Sequence, residues 1–430
     1  MFCKLVIIIV GICMVCVNCF DCLSPNSSNV IKLNGVIKND ETTMKSVNHL
    51  DPNIEEDAKL KTPELIKKYG YMAEVHHVIT EDGYILELHR IIGGPKSPPT
   101  VGKNVLLLVH GLLDSSATWV LTGPNHGLAY LLADRNYDVW LGNSRGNTYS
   151  CNHTKYNPFG SSADRHQFWS FSWHEIGIYD LPATIDYILY QTAVSKLQYI
   201  GHSQGNTAFL VMLSQKPEYN DKIIKIHAMA PAAFVSHVKS PPIRFLSRFA
   251  SVFDEVMSKW LGINDFMPST DFIKLFGKYI CQDKAITHDI CENILFLLAG
   301  KISDQLNATL LPVIVGHTPA GSSVKQLIHY AQEVESGDFR QFDYGFFGNI
   351  RHYQRISPPN YNLSNVQLPI AIYYSKNDWL ATVSDVERLI QKLPNVFHTY
   401  LVPHVAFNHI DFVWGINATA LLYDNIFLML

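Results

Sequence analysis

The five residues Gly201-His202-Ser203-Gln204-Gly205 directly follow a short apolar run, Leu197-Gln198-Tyr199-Ile200. A serine between two glycines, where a strand passes into a helix, reads as a turn that presents an activated nucleophile. Such a turn holds its serine in a strained backbone geometry, and a side chain at either glycine would collide with neighbouring backbone. An ordinary strand-to-loop turn is the competing reading, so the rest of the chain has to agree.

It does agree in its layout. Thr62-Pro63-Glu64 is a helix-start signal, and ordered structure is expected to begin there. Ala73–Thr80 and Tyr84–Ile91 flank Glu81-Asp82-Gly83, an Asp-Gly hairpin turn. Short apolar strands then alternate with helix-length segments: Asn104–Val109, Tyr137–Leu141, Leu197–Ile200, Ile223–Ala230, Leu368–Ser375 and His398–Val402. Continuous apolar strands between helices indicate a parallel sheet covered on both faces. Between Ala230 and Leu368 the chain is far longer than a single crossover of a few tens of residues needs. Helical apolar stretches at Ile243–Trp260 and Ile290–Leu298, with punctuation at Pro241-Pro242, Pro268 and Pro319-Ala320-Gly321, make this surplus a cap above the carboxyl edge of the sheet. The expected fold is α/β, an α/β-hydrolase fold with a mostly parallel central sheet, helices on both faces and a large helical cap or lid insertion. Its parts are a core in two pieces, 61–230 and 368–430, and a cap over 231–367.

The amino terminus sets the compartment. Lys4 precedes the apolar run Leu5 to Val17, and the chain turns polar at Asn18 and Asp21. This describes a signal peptide over residues 1–19, with an apolar run too short for a full membrane span. Residues 20–60 are polar and aperiodic, and read as a propeptide or loose arm. Four of the eight cysteines fall in the leader, leaving Cys22, Cys151, Cys281 and Cys291. In an oxidising lumen a local Cys281–Cys291 disulfide is the natural reading, while Cys22 and Cys151 could pair or stay free. Asn-X-Ser/Thr sequons at Asn26, Asn152, Asn307, Asn362 and Asn417 are glycosylation acceptors. A net charge of −4 and the lack of a basic patch with interleaved aromatics argue against a nucleic-acid partner.

The chemistry-bearing residues follow the chain order serine, acid, histidine, each after a strand. Asp378 lies directly after Ile370-Ala371-Ile372-Tyr373-Tyr374-Ser375, and His409 sits in Phe407-Asn408-His409-Ile410-Asp411-Phe412. His409 is placed to take the proton of Ser203 and return it to a leaving alcohol, with Asp378 orienting the imidazole. Asp385 and His404 are the competing acid and base. Oxyanion donors are expected from the amides of Gln204 and of Leu112, in His110-Gly111-Leu112-Leu113-Asp114. No zinc spacing, dinucleotide fingerprint or phosphate loop is visible, so neither metal nor cofactor is implied.

These residues resemble the acid lipase family, which includes gastric lipase and lysosomal acid lipase. The likeness covers most of residues 60–425. It runs through Asp138-Val139-Trp140-Leu141-Gly142-Asn143-Ser144-Arg145-Gly146-Asn147, Phe171-Ser172-Trp173-His174-Glu175-Ile176-Gly177, the serine pentapeptide and His317-Thr318-Pro319-Ala320-Gly321-Ser322-Ser323. The resemblance implies a lipase or esterase of neutral lipid esters with a lid-gated, acid-tolerant site. It also implies oxyanion donors at Leu112 and Gln204 and a lid disulfide at Cys281 and Cys291. The chain departs from the family in a cysteine spacing one residue longer, in Leu298-Ala299 near the place of a further lid cysteine, in an additional Cys151 and in a longer segment 20–60.

The expected function is a secreted or lysosomal serine lipase. Its partner is a neutral lipid, triacylglycerol or cholesteryl ester, met at a lipid–water interface, with no transmembrane anchor. A carboxylesterase for smaller esters is the first alternative. A catalytically silent lipid-binding protein is the second, and it would be expected to have lost the serine, the base or the glycines.

Overall fold

The computed structural model describes residues 52–248, 264–266, 299–300 and 303–430. The leader, most of the polar arm, Asn26, Cys22, the Cys281–Cys291 pair, the stretch Ile290–Leu298 and most of Ile243–Trp260 lie outside them.

Strands β1 (Met72–Ile79) and β2 (Ile85–Gly93) form the antiparallel hairpin around Asp82-Gly83. Then come β3 (Asn104–Val109), β4 (Tyr137–Leu141), β5 (Leu197–His202), β6 (Ile223–Met229), β7 (Ile370–Tyr374) and β8 (Val396–Leu401). They make one eight-stranded sheet in the order β1-β2-β4-β3-β5-β6-β7-β8. From β4 onward every pairing is parallel. The reason is legible in β3, where Val105, Leu106, Leu107 and Leu108 are all buried, so both faces of that strand must be covered. Each such side chain contributes about 1.5–3 kcal/mol of burial. At the β8 edge burial alternates instead, and the pairing with β7 shifts register between Val396 and His398.

Ordered structure begins earlier than Thr62. Helix α1 (Pro52–Asp57) precedes α2 (Thr62–Lys68), and Asp57 accepts from Lys68 Nζ at 2.7 Å. The Asp57 carbonyl oxygen also pairs with His317 Nε2 at 2.9 Å, at the end of a helix in the 231–367 stretch. A Cβ at Gly316 would sit 2.4 Å from the Ala58 carbonyl oxygen, so the chain passes very close there. The last part of the supposed loose arm is therefore packed, held by long-range contacts rather than by local pattern. Helix α2 starts where expected, with Glu64 accepting from the Lys61 amide at 2.7 Å.

Helices α3 (Leu128–Asp134), α4 (Leu181–Thr192) and α5 (Gln204–Gln215) follow in the core. The insertion supplies α6 (Leu311–His317), α7 (Val324–Ser336) and α8 (Gly345–Tyr353), and α9 (Val383–Lys392) lies after β7. No helix among the described residues is long and apolar enough to cross a membrane.

Candidate active site

Ser203 stands between β5 and α5 with φ 50° and ψ −117°, a conformation that costs a non-glycine residue about 1–3 kcal/mol. Its surroundings enforce that geometry. The Ser203 amide donates to the Met229 carbonyl at 3.0 Å. A Cβ at Gly205 would lie 2.4 Å from the Val109 carbonyl oxygen, and one at Gly201 would lie 2.3 Å from Asn206 Oδ1. Asn206 in turn donates from Nδ2 to the carbonyls of Gly201 and Met229, at 3.1 and 2.9 Å, tying the turn to β6.

His409 Nδ1 lies 2.7 Å from Asp378 Oδ2. The second carboxylate oxygen of Asp378 accepts from the amides of Leu380 and Ala381, each at 2.8 Å, so a fully buried charge has its partners. The pair leaves His409 Nε2 as the nitrogen available to a substrate-side proton. His409 is linked to the serine turn through His202, whose Nε2 donates to the His409 carbonyl at 3.1 Å and whose ring centroid is 4.9 Å from that of His409. Burial and the neighbouring His409 hold the His202 imidazole neutral, well below the usual histidine range.

The competing residues go elsewhere. Asp385 is buried inside α9 and accepts from the His237 amide at 2.8 Å and from Ser236 Oγ at 3.0 Å. His404 Nε2 faces Asp304 at 3.2 Å.

The loop after β3 passes over the serine. A Cβ at Gly111 would lie 3.2 Å from Ser203 Cβ and 3.7 Å from Ser203 Oγ, so glycine allows this approach. His110 Nε2 accepts from the Ser144 amide at 3.2 Å, which leaves Nδ1 to donate to the Gly111 carbonyl at 2.7 Å. Burial pushes the His110 imidazole down to about 4, consistent with that neutral tautomer. Leu113 follows with φ 62°, and its carbonyl accepts from the Ala320 amide at 2.6 Å.

Comparison with known proteins now bears on this arrangement. The model for the α/beta hydrolase fold matches residues 104–415, and that for the partial α/beta-hydrolase lipase region matches residues 62–123. Lipase 1 of Drosophila melanogaster is 46% identical over 372 residues, covering 86% of this chain and 80% of that protein. The chain belongs to the α/β-hydrolase lipases. Gastric triacylglycerol lipase of Bos taurus is 38% identical over 372 residues, covering 86% of this chain and 91% of that protein. A candidate lipase from Sulfolobus solfataricus matches in fold, with a TM-score of 0.56 at 12% identity over 84% of this chain and 94% of that one. This lipase-family chain is a carboxylic ester hydrolase.

Several residues that brace the site of this lipase have partners that no local pattern reveals. Arg145 is fully buried and spans two acids. Its Nε donates to Asp180 Oδ1 at 2.7 Å, its amide to Asp180 Oδ2 at 3.0 Å, and its two terminal nitrogens to Asp82 at 2.6 and 2.8 Å. Burial would raise the Asp82 carboxyl, but the Arg145 hydrogen bonds and charge outweigh it and hold it below the usual range. Asn147 Nδ2 donates to Asn143 Oδ1 at 3.0 Å, and that same oxygen accepts from the Ser116 amide at 2.8 Å. These bonds connect the 142–150 run to the segment that follows the loop after β3.

The 231–367 stretch is tied to the same place. Gln204 Nε2 donates to Gln326 Oε1 on α7 at 2.7 Å, and Thr207 Oγ1 pairs with Tyr330 OH at 2.9 Å. The sequence nominates Gln204 for its amide and gives no sign that its side chain bonds a helix more than a hundred residues away. Among the sequons, Asn152, Asn362 and Asn417 are exposed and Asn307 is half-buried. Cys151 pairs with no other cysteine among the described residues, and burial pushes its thiol up to about 12.

Asp114, at the end of the loop after β3, is expected to make stability depend on pH. Burial raises its carboxyl to about 7 from 3.8, despite hydrogen bonds from Ser115, Thr118 and Thr318. Between those values the folded chain keeps a proton that the unfolded chain has released. The contribution of Asp114 is therefore fully present below about pH 4 and is lost as pH rises through about 7. Asp114→Asn keeps an acceptor for the Ser115 amide without a charge to bury. Urea midpoints measured across this pH window should fall less steeply toward neutrality in Asp114→Asn than in the parent, and equal slopes would contradict the assignment.

Proposed function

We propose that the chain is a serine lipase that hydrolyses the carboxylic ester bonds of neutral lipids through an acyl-enzyme. The observation that carries the reading is the 2.7 Å contact between His409 and the buried Asp378, beside a serine held in a strained turn. In the first half-reaction Ser203 Oγ attacks the ester carbonyl carbon while His409 Nε2 accepts its proton. The amides of Leu112 and Gln204 stabilise the oxyanion. Collapse expels the alcohol, which takes the proton back from His409. Water then attacks the acyl-serine with His409 again as base, and the fatty acid leaves. Asp378 fixes the imidazole and stabilises its protonated form.

The substrate class follows from the gastric triacylglycerol lipase relatives and from the size of the insertion, which suits bulky esters. Triacylglycerol and cholesteryl ester are both within it. The leader at residues 1–19 and the sequons support secretion or delivery to the lysosomal lumen, with cap and core divided at 231–367.

The test is hydrolysis of short- and long-chain triacylglycerol and cholesteryl ester by the secreted protein, from about pH 4 to about pH 8. Cleavage of emulsified long-chain ester is expected. Activity confined to soluble short esters would make the protein a carboxylesterase, and none at all from folded protein would leave a lipid-binding scaffold.

A further inference from the structure

The insertion carries an apolar face that the ester chemistry does not use. Helix α8 shows Phe346, Phe347 and Ile350 to solvent at 58%, 82% and 43% exposure, and Ile356 just beyond it at 68%. Positions 346, 347 and 350 fall on one side of a helix, so they form a single stripe. The two phenylalanine rings meet edge to face, with centroids 5.2 Å apart. A lone exposed apolar residue is ordinary, but four large ones clustered on one helix and its exit are not.

This stripe is not waiting to collapse onto the protein, because the flank of α8 that adjoins it is already fixed. Asn349 is buried, donating from Nδ2 to Asp343 Oδ1 at 2.8 Å and to the Ile356 carbonyl at 3.1 Å. Its Oδ1 accepts from the Tyr344 amide at 2.9 Å, and Tyr353 OH donates to the Phe342 carbonyl at 2.8 Å.

Charge favours one kind of occupant. Arg351, next to Ile350, and Arg355, next to Ile356, are both exposed. Asp343, an acid close to it, is engaged by Arg340 at 3.2 Å and by Asn349. Apolar wedges ringed by cations suit a surface of acyl chains under anionic headgroups. The position suits it too. Lys325 Nζ donates to Tyr344 OH at 3.2 Å, which joins the start of α8 to α7 beside Gln326, the partner of Gln204.

We infer that Phe346, Phe347, Ile350 and Ile356, rimmed by Arg351 and Arg355, form a docking surface that seats the enzyme on a lipid surface bearing anionic phospholipid. This deepens the lipase reading and rests on it.

The experiment is co-sedimentation of the full protein with vesicles of phosphatidylcholine alone and with about one quarter phosphatidylserine. Hydrolysis of a soluble short-chain ester is measured in parallel. The parent should bind the mixed vesicles more tightly than the neutral ones. Phe346→Ser with Phe347→Ser should weaken binding to both by roughly tenfold or more. Arg351→Gln with Arg355→Gln should erase only the preference for the anionic vesicles. Both variants should hydrolyse the soluble ester at the parent rate, which also shows that they fold. Unchanged vesicle binding in the phenylalanine variant overturns the proposal. So does a parent that binds no vesicle, including one that instead self-associates through these phenylalanines. Loss of soluble-ester hydrolysis in the parent itself would sink the lipase reading while leaving the vesicle result to stand alone.

Discussion

Ser203→Ala is expected to abolish ester hydrolysis, lowering kcat by about 10^5- to 10^6-fold while leaving the unfolding midpoint within a few degrees of the parent. The size of the effect follows from the role. Without Oγ there is no acyl-enzyme, and His409 has no hydroxyl to deprotonate. What remains is binding plus any stabilisation of charge by the Leu112 and Gln204 amides, and those alone accelerate little. Stability is expected to hold because alanine keeps a Cβ and removes only a hydroxyl, although it inherits the φ of 50°. Asp378→Asn should lose about 10^4-fold by a different route, since an amide facing His409 Nδ1 favours the wrong tautomer. A Ser203→Ala enzyme that retains activity would remove the foundation of the mechanism.

The second large effect is on the fold. Arg145→Met should destabilise the protein by about 3–5 kcal/mol, the cost of leaving a buried carboxylate without its partner. Asp180 is almost wholly enclosed and would keep its charge with no guanidinium, or take up a proton. Asp82 is more exposed and can turn to water, so its share of the loss is smaller. Urea unfolding measures the change. Adding Asp180→Asn to Arg145→Met should recover part of the loss, because the orphaned charge is then gone. A near-neutral Arg145→Met would mean that the aromatic enclosure, with Tyr84 at 3.8 Å from the guanidinium carbon, holds the 142–150 run without the ion pairs.

The contrast between Ser203 and Arg145 shows which parts of this molecule can be read from its sequence. The serine turn is a local device: strand, strained residue, two glycines and helix all fall within a few positions. The strands β3 and β4 are equally local, and their ends coincide with the apolar runs 104–109 and 137–141. Asp378 and His409 are legible as candidates because each follows a strand, and the structure brings the two within 2.7 Å of each other. Arg145 looked like one member of a characteristic run. Its meaning depends on Asp82 in the hairpin turn and Asp180 ahead of α4, which no periodicity connects.

The same holds for His202, read only as a spacer in the pentapeptide yet bonded to the His409 carbonyl. Helix α1 was missed for a related reason. Six residues cannot hold a helix by propensity alone, and this one depends on contacts with the far end of α6. Exposed hydrophobic residues on α8 escaped notice because apolar side chains in a sequence default to core.

The central claim is that Ser203 is the single acylated nucleophile, and the most direct measurement is active-site labelling. The protein is treated with a long-chain alkyl phosphonate ester, and residual hydrolysis is followed while peptides are mapped by mass spectrometry. One phosphonyl group per chain is expected, on the peptide containing Gly201-His202-Ser203-Gln204-Gly205, with activity falling in step with its incorporation. A label on another residue, or full hydrolysis from a chain whose Ser203 is fully modified, would contradict the account.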